Sequence, residues 1–336
     1  MRAVEVGADE LRRLVADAAT TPPWDADGAG LLVVDLDAAE PTDLDVVLPP
    51  SLPAVVVGRS SDPAAAPACC DAVLDDAGAV EQVAAVVGRH PVAALTLVGL
   101  LRVSDGLTVD AGLLAESACY GALQAGGEFR RWRAARPAEP VPATADPVLV
   151  RRDGDVLRLT LHRPDRRNAL DAGMRDALAE QLALVALDPS IRRVVLDGAG
   201  PSFCSGGDLD EFGTAPDPAV AHLVRQERSL GRALHAVRDR VEVRLHGACV
   251  GSGIELAAFA GTVRAAPDVA IGLPELSMGL IPGAGGTVSI TRRVGRHRTC
   301  RLALTGERIG AATAQGWGLV DEVTGADPQG RDDRRE

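Results

Sequence analysis

The chain has no lysine: its 35 basic residues are all arginine. That excludes the phosphate loop of nucleotide hydrolases, whose Gly-Lys-Ser/Thr places a lysine on the terminal phosphates. Aromatic residues make up only 2%, so the core must be built from Val, Leu, Ala and Ile. At 46% hydrophobic and 24% charged, the composition supports a globular fold and excludes disorder of the whole chain. Basic charge is also in deficit. The net charge of −12 argues against nucleic acid as the main partner, because a phosphate backbone needs a basic footprint. A small anionic ligand stays open, since a few local arginines suffice. No apolar run of about 18 residues occurs, and Met1 to Glu5 leads into an acidic amphipathic stretch rather than a leader core, so a soluble cytoplasmic protein with no membrane partner is expected. Cys69, Cys70, Cys119, Cys204, Cys249 and Cys300 show no zinc spacing and no disulfide framework, and read as free thiols. The six histidines form no metal-binding pattern, so no metal is expected.

At 336 residues, about two domains are expected. Residues 8–19 read as a short helix, Leu31 to Leu36 and Ala54 to Gly58 as strands, Ala79 to Gly88 as a helix, and Ala93 to Leu101 as another β-like run. Residues 110–136 carry a long helical pattern. Three prolines in Arg136 to Pro142 mark a linker, which separates residues 1–140 from a second domain over 145–325. Beyond it, strands are expected at Val156 to Leu161, Ile191 to Leu196 and Val241 to Leu245. Helices are expected at Met174 to Leu187, Val220 to Arg238 and Ile254 to Ala260. This alternation favours α/β architecture.

The segment Val243 to Gly286 is apolar and glycine-rich, and between Glu255 and Glu275 its only charged residues are Arg264 and Asp268. An acid in such surroundings keeps its proton to higher pH, which suits proton transfer near neutrality. Two acids in one site would split into an acid and a base. Spacing alone leaves open whether the two glutamates meet or are separate surface or helix-start residues. Phe203-Cys204-Ser205-Gly206-Gly207-Asp208-Leu209 follows a predicted strand, and Gly251-Ser252-Gly253 opens a helix. Such turns bring backbone N–H groups close to a ligand and can hold an oxyanion, with tight turns as the plain alternative. A dinucleotide fingerprint starting at Gly251 fails because Leu256 stands where Gly or Ala is required, and no Gly-x-Ser-x-Gly elbow is present.

Residues 147–323 closely resemble the enoyl-CoA hydratase/isomerase (crotonase) family. The resemblance is carried by five pieces in family order. They are His162-Arg163-Pro164-Asp165-Arg166-Arg167-Asn168-Ala169-Leu170, Phe203 to Leu209, and His246-Gly247-Ala248-Cys249-Val250-Gly251-Ser252-Gly253-Ile254-Glu255-Leu256. Then come Leu273-Pro274-Glu275 with Gly279 to Gly286, and Leu304-Thr305-Gly306 with Ala314 and Gly318-Leu319-Val320. The resemblance implies a crotonase-like α/β domain of repeated ββα units wound as a spiral. It implies an oxyanion hole on the N–H groups of Gly207 and Ser252, and hydratase acids at Glu255 and Glu275. It puts Arg166, Arg167, Ala169, Gly206, Asp208, Leu209, Asp210 and Gly251 against the substrate and its CoA moiety. The substrate would be an acyl-CoA thioester with no separate cofactor, and the assembly a homo-oligomer, trimeric or hexameric.

Hydration of an enoyl-CoA, or the reverse dehydration, is the implied reaction. An isomerase, a lyase, a cofactor-free dioxygenase or a non-catalytic acyl-CoA-binding subunit are the alternatives on the same scaffold. The sequence departs from the family in three ways. Ser252 stands where Gly or Ala is usual. Similarity ends near Val323, leaving residues 326–336 as an expected disordered tail where typical members continue into helices that cover the acyl site and build the trimer. Residues 1–140 precede the unit, an extension resembling that of the cofactor-free dioxygenase branch. Within it, residues 116–136 are similar to the family's closing helices. Residues 25–140 are therefore expected to be a degenerate, inactive crotonase-like half whose last helices cover the active site.

Overall fold

The computed structural model describes residues 3–17, 30–40, 44–62, 66–140, 144–215 and 217–325. The first half runs β1 (Val4–Glu5), α1 (Ala8–Asp17), β2 (Gly30–Asp35), β3 (Ala54–Arg59), β4 (Ala72–Leu74), α2 (Ala77–Arg89), α3 (Pro91–Ser104), α4 (Val109–Gln124) and α5 (Gly127–Ala135). The second runs β5 (Val148–Asp153), β6 (Val156–Leu161), α6 (Ala172–Leu187), β7 (Arg193–Gly198), α7 (Pro218–Glu227), α8 (Leu230–Ala236), β8 (Val241–Leu245), β9 (Ala248–Val250) and α9 (Ser252–Ala257). It continues through β10 (Thr262–Ala265), β11 (Ala270–Gly272), a 3-10 turn at Glu275–Met278, α10 (Gly286–Val294), α11 (Arg296–Thr305), α12 (Ala311–Trp317) and β12 (Glu322–Val323).

Three sheets result. The first half forms a four-stranded parallel sheet in the order β1-β2-β3-β4. The second forms a six-stranded sheet in the order β12-β10-β8-β7-β6-β5, parallel except for the β5–β6 hairpin. β9 and β11 pair in a small parallel sheet. Strand, short strand, helix recurs as β8-β9-α9 and again as β10-β11 and the helical segment after it, which is the ββα spiral of the crotonase fold. The valine and leucine runs fit this placement, since parallel strands are covered on both faces.

Helix starts follow side-chain chemistry. Asp76, Thr108, Asp171, Asp217 and Ser229 each accept a bond from an orphan amide at a helix start. The run Ala93 to Leu101, expected as a strand, lies instead inside α3. Pro91 opens that helix, and Ala93, Ala94, Leu97, Val98 and Leu101 are buried in it. The open face of this helix carries Val92 and Val103, each 39% exposed, so apolar residues run round the helix and its sequence reads like a buried strand. The pattern at 110–136 is two helices, broken around Ala125-Gly126, and the one at 220–238 breaks between Glu227 and Leu230. The proposed tail lies outside the described residues.

The two halves share one core. A single buried cluster runs from Leu31, Val55 and Leu97 to Val243, Ile271 and Leu304, and a smaller one fills the space between the first sheet and α1. Across the seam, Arg296 donates to the carbonyls of Cys70 and Ala68, and Arg301 pairs with Asp75 at 3.3 Å. No single described helix is long and apolar enough to cross a membrane; α2 and α3 reach that length only together and meet at 110°.

Candidate active site

The site is assembled from two glycine turns held in register. Cys204 pairs with Cys249 as an isolated parallel bridge, its N–H bonding Ala248 O at 3.1 Å and its carbonyl accepting from Val250 N at 3.0 Å. Three residues beyond each partner stand Gly207 and Ser252, so the two expected oxyanion donors occupy matching places on adjoining turns. The turns are possible only for glycine: Gly206 has φ +109° and Gly251 φ +49°, and a Cβ on Gly251 would lie 3.7 Å from Gly206 Cα and 2.5 Å from Glu275 Oε1. The N–H groups of Gly207 and Ser252 enter no hydrogen bond among the described residues. Ser252 opens α9, and its hydroxyl is buried beside the Cys204 thiol.

The structure brings Glu255 and Glu275 together. Glu255 sits in the first turn of α9, 2% exposed, and its Oε2 accepts from the N–H of Ala284 at 2.8 Å and of Gly286 at 2.9 Å. Burial pushes its carboxyl up to about 7, while the two amides pull the other way. Glu275 opens the 3-10 turn beside Gly251, and its Oε2 is buried with no partner. Burial, then the charge of Glu255, raises Glu275 well above the usual carboxylate range. Glu255 therefore ionises first and Glu275 holds its proton, so the pair offers a base and an acid near neutrality.

The segment 163–171 is a rigid clasp beside these turns. Arg166 and Arg167 stand on its exposed side. The Arg166 guanidinium donates to Asp208 at 2.8 Å and to Asp210 at 2.6 Å, and these bonds hold Asp210 below its ordinary range. Asp208, 2% exposed, also receives Arg163 at 3.1 Å. Both carboxylates of the loop expected to lie against the substrate are thus held in ion pairs, which fix the loop carrying Gly206 and Gly207. The carbonyl of Ala169 is taken by Arg163. Those of Leu209 and Asp210 accept from Arg133 of α5 at 2.9 and 3.1 Å. Arg167, held at φ +52° and exposed, makes no ion pair among the described residues.

Sequence reasoning missed two residues. Asn168, the only asparagine in the chain, has φ +53° and is fully buried. Its amide donates to the carbonyls of Ala199, Ser202 and Phe203, and its Oδ1 accepts from Arg163 N–H. That a lone asparagine sat between Arg167 and Ala169 was the available signal. The second is Glu116 of α4, 2% exposed, whose carboxylate bonds Gly285 N–H, Thr287 N–H and the Thr287 hydroxyl at 2.7, 2.9 and 2.6 Å. An acid on the apolar face set by Leu113 and Tyr120 was the hint.

Two cavities adjoin the site and share the walls Leu170, Leu230 and Leu256. One, a narrow gap of about 20 Å³, is lined by leucines and valines and reaches Ser252 and Gly253. The other, of about 150 Å³, lies between α4, α7 and the 283–285 loop, with Arg225, Ser117 and Gln226 on its wall. Arg225 bonds Ser117 Oγ at 3.1 Å and Gln124 Oε1 at 3.1 Å, and stacks 4.8 Å from the Tyr120 ring.

Residues 151–331 match the family described as Enoyl-CoA hydratase/isomerase. The chain is 37% identical over 180 residues to 2,3-dehydroadipyl-CoA hydratase of Escherichia coli (strain K12), covering 54% of this chain and 70% of that protein. It is also 37% identical over 173 residues to 1,2-epoxyphenylacetyl-CoA isomerase of the same organism, covering 50% and 66%. Among solved structures, an enoyl-CoA hydratase/carnithine racemase from Magnetospirillum magneticum superposes with a TM-score of 0.52 at 30% identity, over 56% of this chain and 72% of that one. With its paired acids and glycine turns set on a ββα spiral, the chain belongs to the enoyl-CoA hydratase/isomerase family.

Proposed function

We propose that the protein adds water across the 2,3 double bond of an enoyl-CoA thioester, or removes it in reverse. The observation that carries this reading is the asymmetry of the buried acids. Glu255 is cradled by two amides and ionises near neutrality, whereas Glu275 keeps its proton and has an oxygen without a partner. The thioester oxygen accepts from the N–H groups of Gly207 and Ser252. Glu255 takes a proton from water as the water oxygen bonds to the β-carbon, and the π electrons move onto the thioester oxygen as an enolate. The enolate collapses by taking the proton of Glu275 at the α-carbon. One water is consumed, and a proton returns from Glu255 to Glu275 to close the cycle. Both donors are fixed before reaction, which is the arrangement worth about 3 kcal/mol per donor in comparable sites. No cofactor enters this scheme.

In this reading the cavity of about 150 Å³ walled by Leu113, Leu170, Leu230 and Leu256 takes the acyl chain, Arg167 meets a CoA phosphate, and α4 and α5 of the first half close the site. The closing role is supported by Glu116 and Tyr120, which press on the 283–287 loop, and by Phe129, whose ring packs at Gly213. A closed site keeps out bulk water and strengthens the hydrogen bonds to the enolate.

The test is incubation of the full chain with enoyl-CoA thioesters of varied chain length in heavy-oxygen water, with mass analysis of products. Label at the β-carbon supports hydration. Conversion without label establishes an isomerase or lyase instead, and no conversion of any thioester overturns the enzymatic reading of the site.

A further inference from the structure

Four consecutive amides at the start of α10 alternate between two carboxylates. Ala284 and Gly286 donate to Glu255, and Gly285 and Thr287 donate to Glu116. The two acids come from opposite halves of the chain, α4 and α9, and press on the same glycine run from opposite sides. A Cβ on Gly286 would lie 2.6 Å from Glu255 Cγ, while the Tyr120 ring occupies the corresponding space at Gly283. Neither acid has a counter-ion within ion-pair distance among the described residues. What they share is the positive end of one nine-residue helix, worth about half an elementary charge.

We propose that Glu116 is a positioning residue of the catalytic site: it fixes the 284–287 turn that orients Glu255 and adds a second, titratable charge against which Glu275 must give up its proton. The inference rests on the assignment of Glu255 and Glu275 as the reacting acids. It makes the first half of the chain part of the proton-transfer machinery as well as its cover.

The physical basis is a competition for one half-charge. Half a positive charge does not stabilise two full negative ones in a buried site, so the pair loses its protons in two steps. Burial, then the charge of Glu255, pushes Glu116 up to about 8, just above Glu255 at about 7. The charged and titratable groups facing Glu116 are Glu255 from α9, Glu275 from the 3-10 turn, Arg225 from α7, and Tyr120 and Cys119 from its own helix. Only Arg225 is cationic, and its three hydrogen bonds go to neutral acceptors on Ser117 and Gln124. Once Glu116 ionises, its charge further holds the proton on Glu275.

The experiment compares the full-length protein with its Glu116→Gln variant by the pH dependence of turnover and by 13C titration of the carboxyl groups, with Glu255→Gln and Glu275→Gln for assignment. Removing the charge should lower the Glu275 titration and the basic limb of kcat/KM by about one pH unit. It should also replace the two steps near 7 and 8 by one, and lower kcat about tenfold with KM within about twofold, because the new amide N–H₂ opposes Thr287 N–H. A lowered melting temperature with an unmoved Glu275 titration and an unmoved pH profile overturns the inference and leaves Glu116 a helix cap. If no thioester is turned over but the Glu275 titration still moves, the coupling stands and the hydration reading falls. Should Glu116→Gln not fold, Thr287→Val carries the test: losing the hydroxyl keeps the proton on Glu116 to higher pH, and the Glu275 titration must fall in the same direction or the inference is wrong.

Discussion

Glu255 and Glu275 differ in what touches them, and that difference sets their expected behaviour. Glu255 has two amide donors; Glu275 has an oxygen with none. Glu255→Gln and Glu275→Gln should each lower kcat at least about a hundredfold, the low end for loss of a positioned acid or base, while thioester affinity measured calorimetrically stays nearly constant. A variant retaining near-normal turnover would remove its glutamate from the mechanism. Because Glu255 must be ionised and its carboxyl is raised to about 7, kcat/KM should climb as pH rises through 7. It should fall again only at higher pH, where Glu275 loses its proton. An acidic limb near the ordinary glutamate range, about 4.3, would mean that burial does not govern Glu255.

At the scale of elements, the glycine turns depend on a clasp far from them in sequence. Asn168 ties 163–170 to 199–203 through three donated bonds and one accepted bond. Asn168→Ala leaves those buried carbonyls unpaired and places a Cβ residue at φ +53° without the compensating amide. A loss of about 3 kcal/mol or more of unfolding free energy is expected from urea denaturation, with a raised KM because Arg167 rides on the same loop. Asn168→Asp keeps the acceptor and loses the donors, and should be no better. The helices were partly legible. The helix expected at Met174 to Leu187 begins two residues earlier, at Ala172, where Asp171 caps it by accepting from Met174 N–H at 2.8 Å. Ala93 to Leu101 reads as a strand because the open face of α3 carries valines rather than charged residues, which hides the helical period and leaves a nine-residue apolar run ambiguous. The long pattern at 110–136 hid its break, since Ala125 and Gly126 interrupt a helix without interrupting the amphipathic trend.

On the scale of the molecule, three raised acids buried at one point tie stability to pH. Glu116, Glu255 and Glu275 keep their protons in the folded chain above the pH at which the unfolded chain loses them, about 4.3. Between about pH 5 and 8 these three acids leave the folded state with more bound protons, and their contribution to stability falls as pH rises, by up to about 1.4 kcal/mol per pH unit for each group. Asp35, Asp188 and Asp210, lowered by arginine or serine partners, act in the opposite sense below the ordinary aspartate range, and His90, His235 and His297, lowered by burial, act in the opposite sense up to about pH 6.5. Urea midpoints should thus decline from about pH 7 to 8, above the histidine range, and Glu275→Gln should flatten the decline; a midpoint rising over that interval would contradict the buried-acid arrangement. The common core makes a second demand. A fragment starting at Ala145 loses Glu116, Tyr120 and the α3–α5 layer, exposing the apolar faces of α10 and α11. It should aggregate or lose turnover with both catalytic glutamates intact; a soluble, fully active fragment would show the first half to be dispensable.

The order of the motifs, the parallel α/β alternation after the linker and the places where only glycine fits were determined by the sequence itself, because each depends on neighbours a few residues apart. Gly206 and Gly251 illustrate this: the turn each makes is a property of its own backbone. The partners of the acids were decided by the tertiary structure. Glu116 lies 169 residues from Gly285 along the chain, and only folding brings a helix of the first half against the amides that also cradle Glu255. Burial works the same way. Whether an acid between leucines is a surface residue or a proton-holding one depends on what covers it from the far side, and that is supplied by elements no local pattern connects to it.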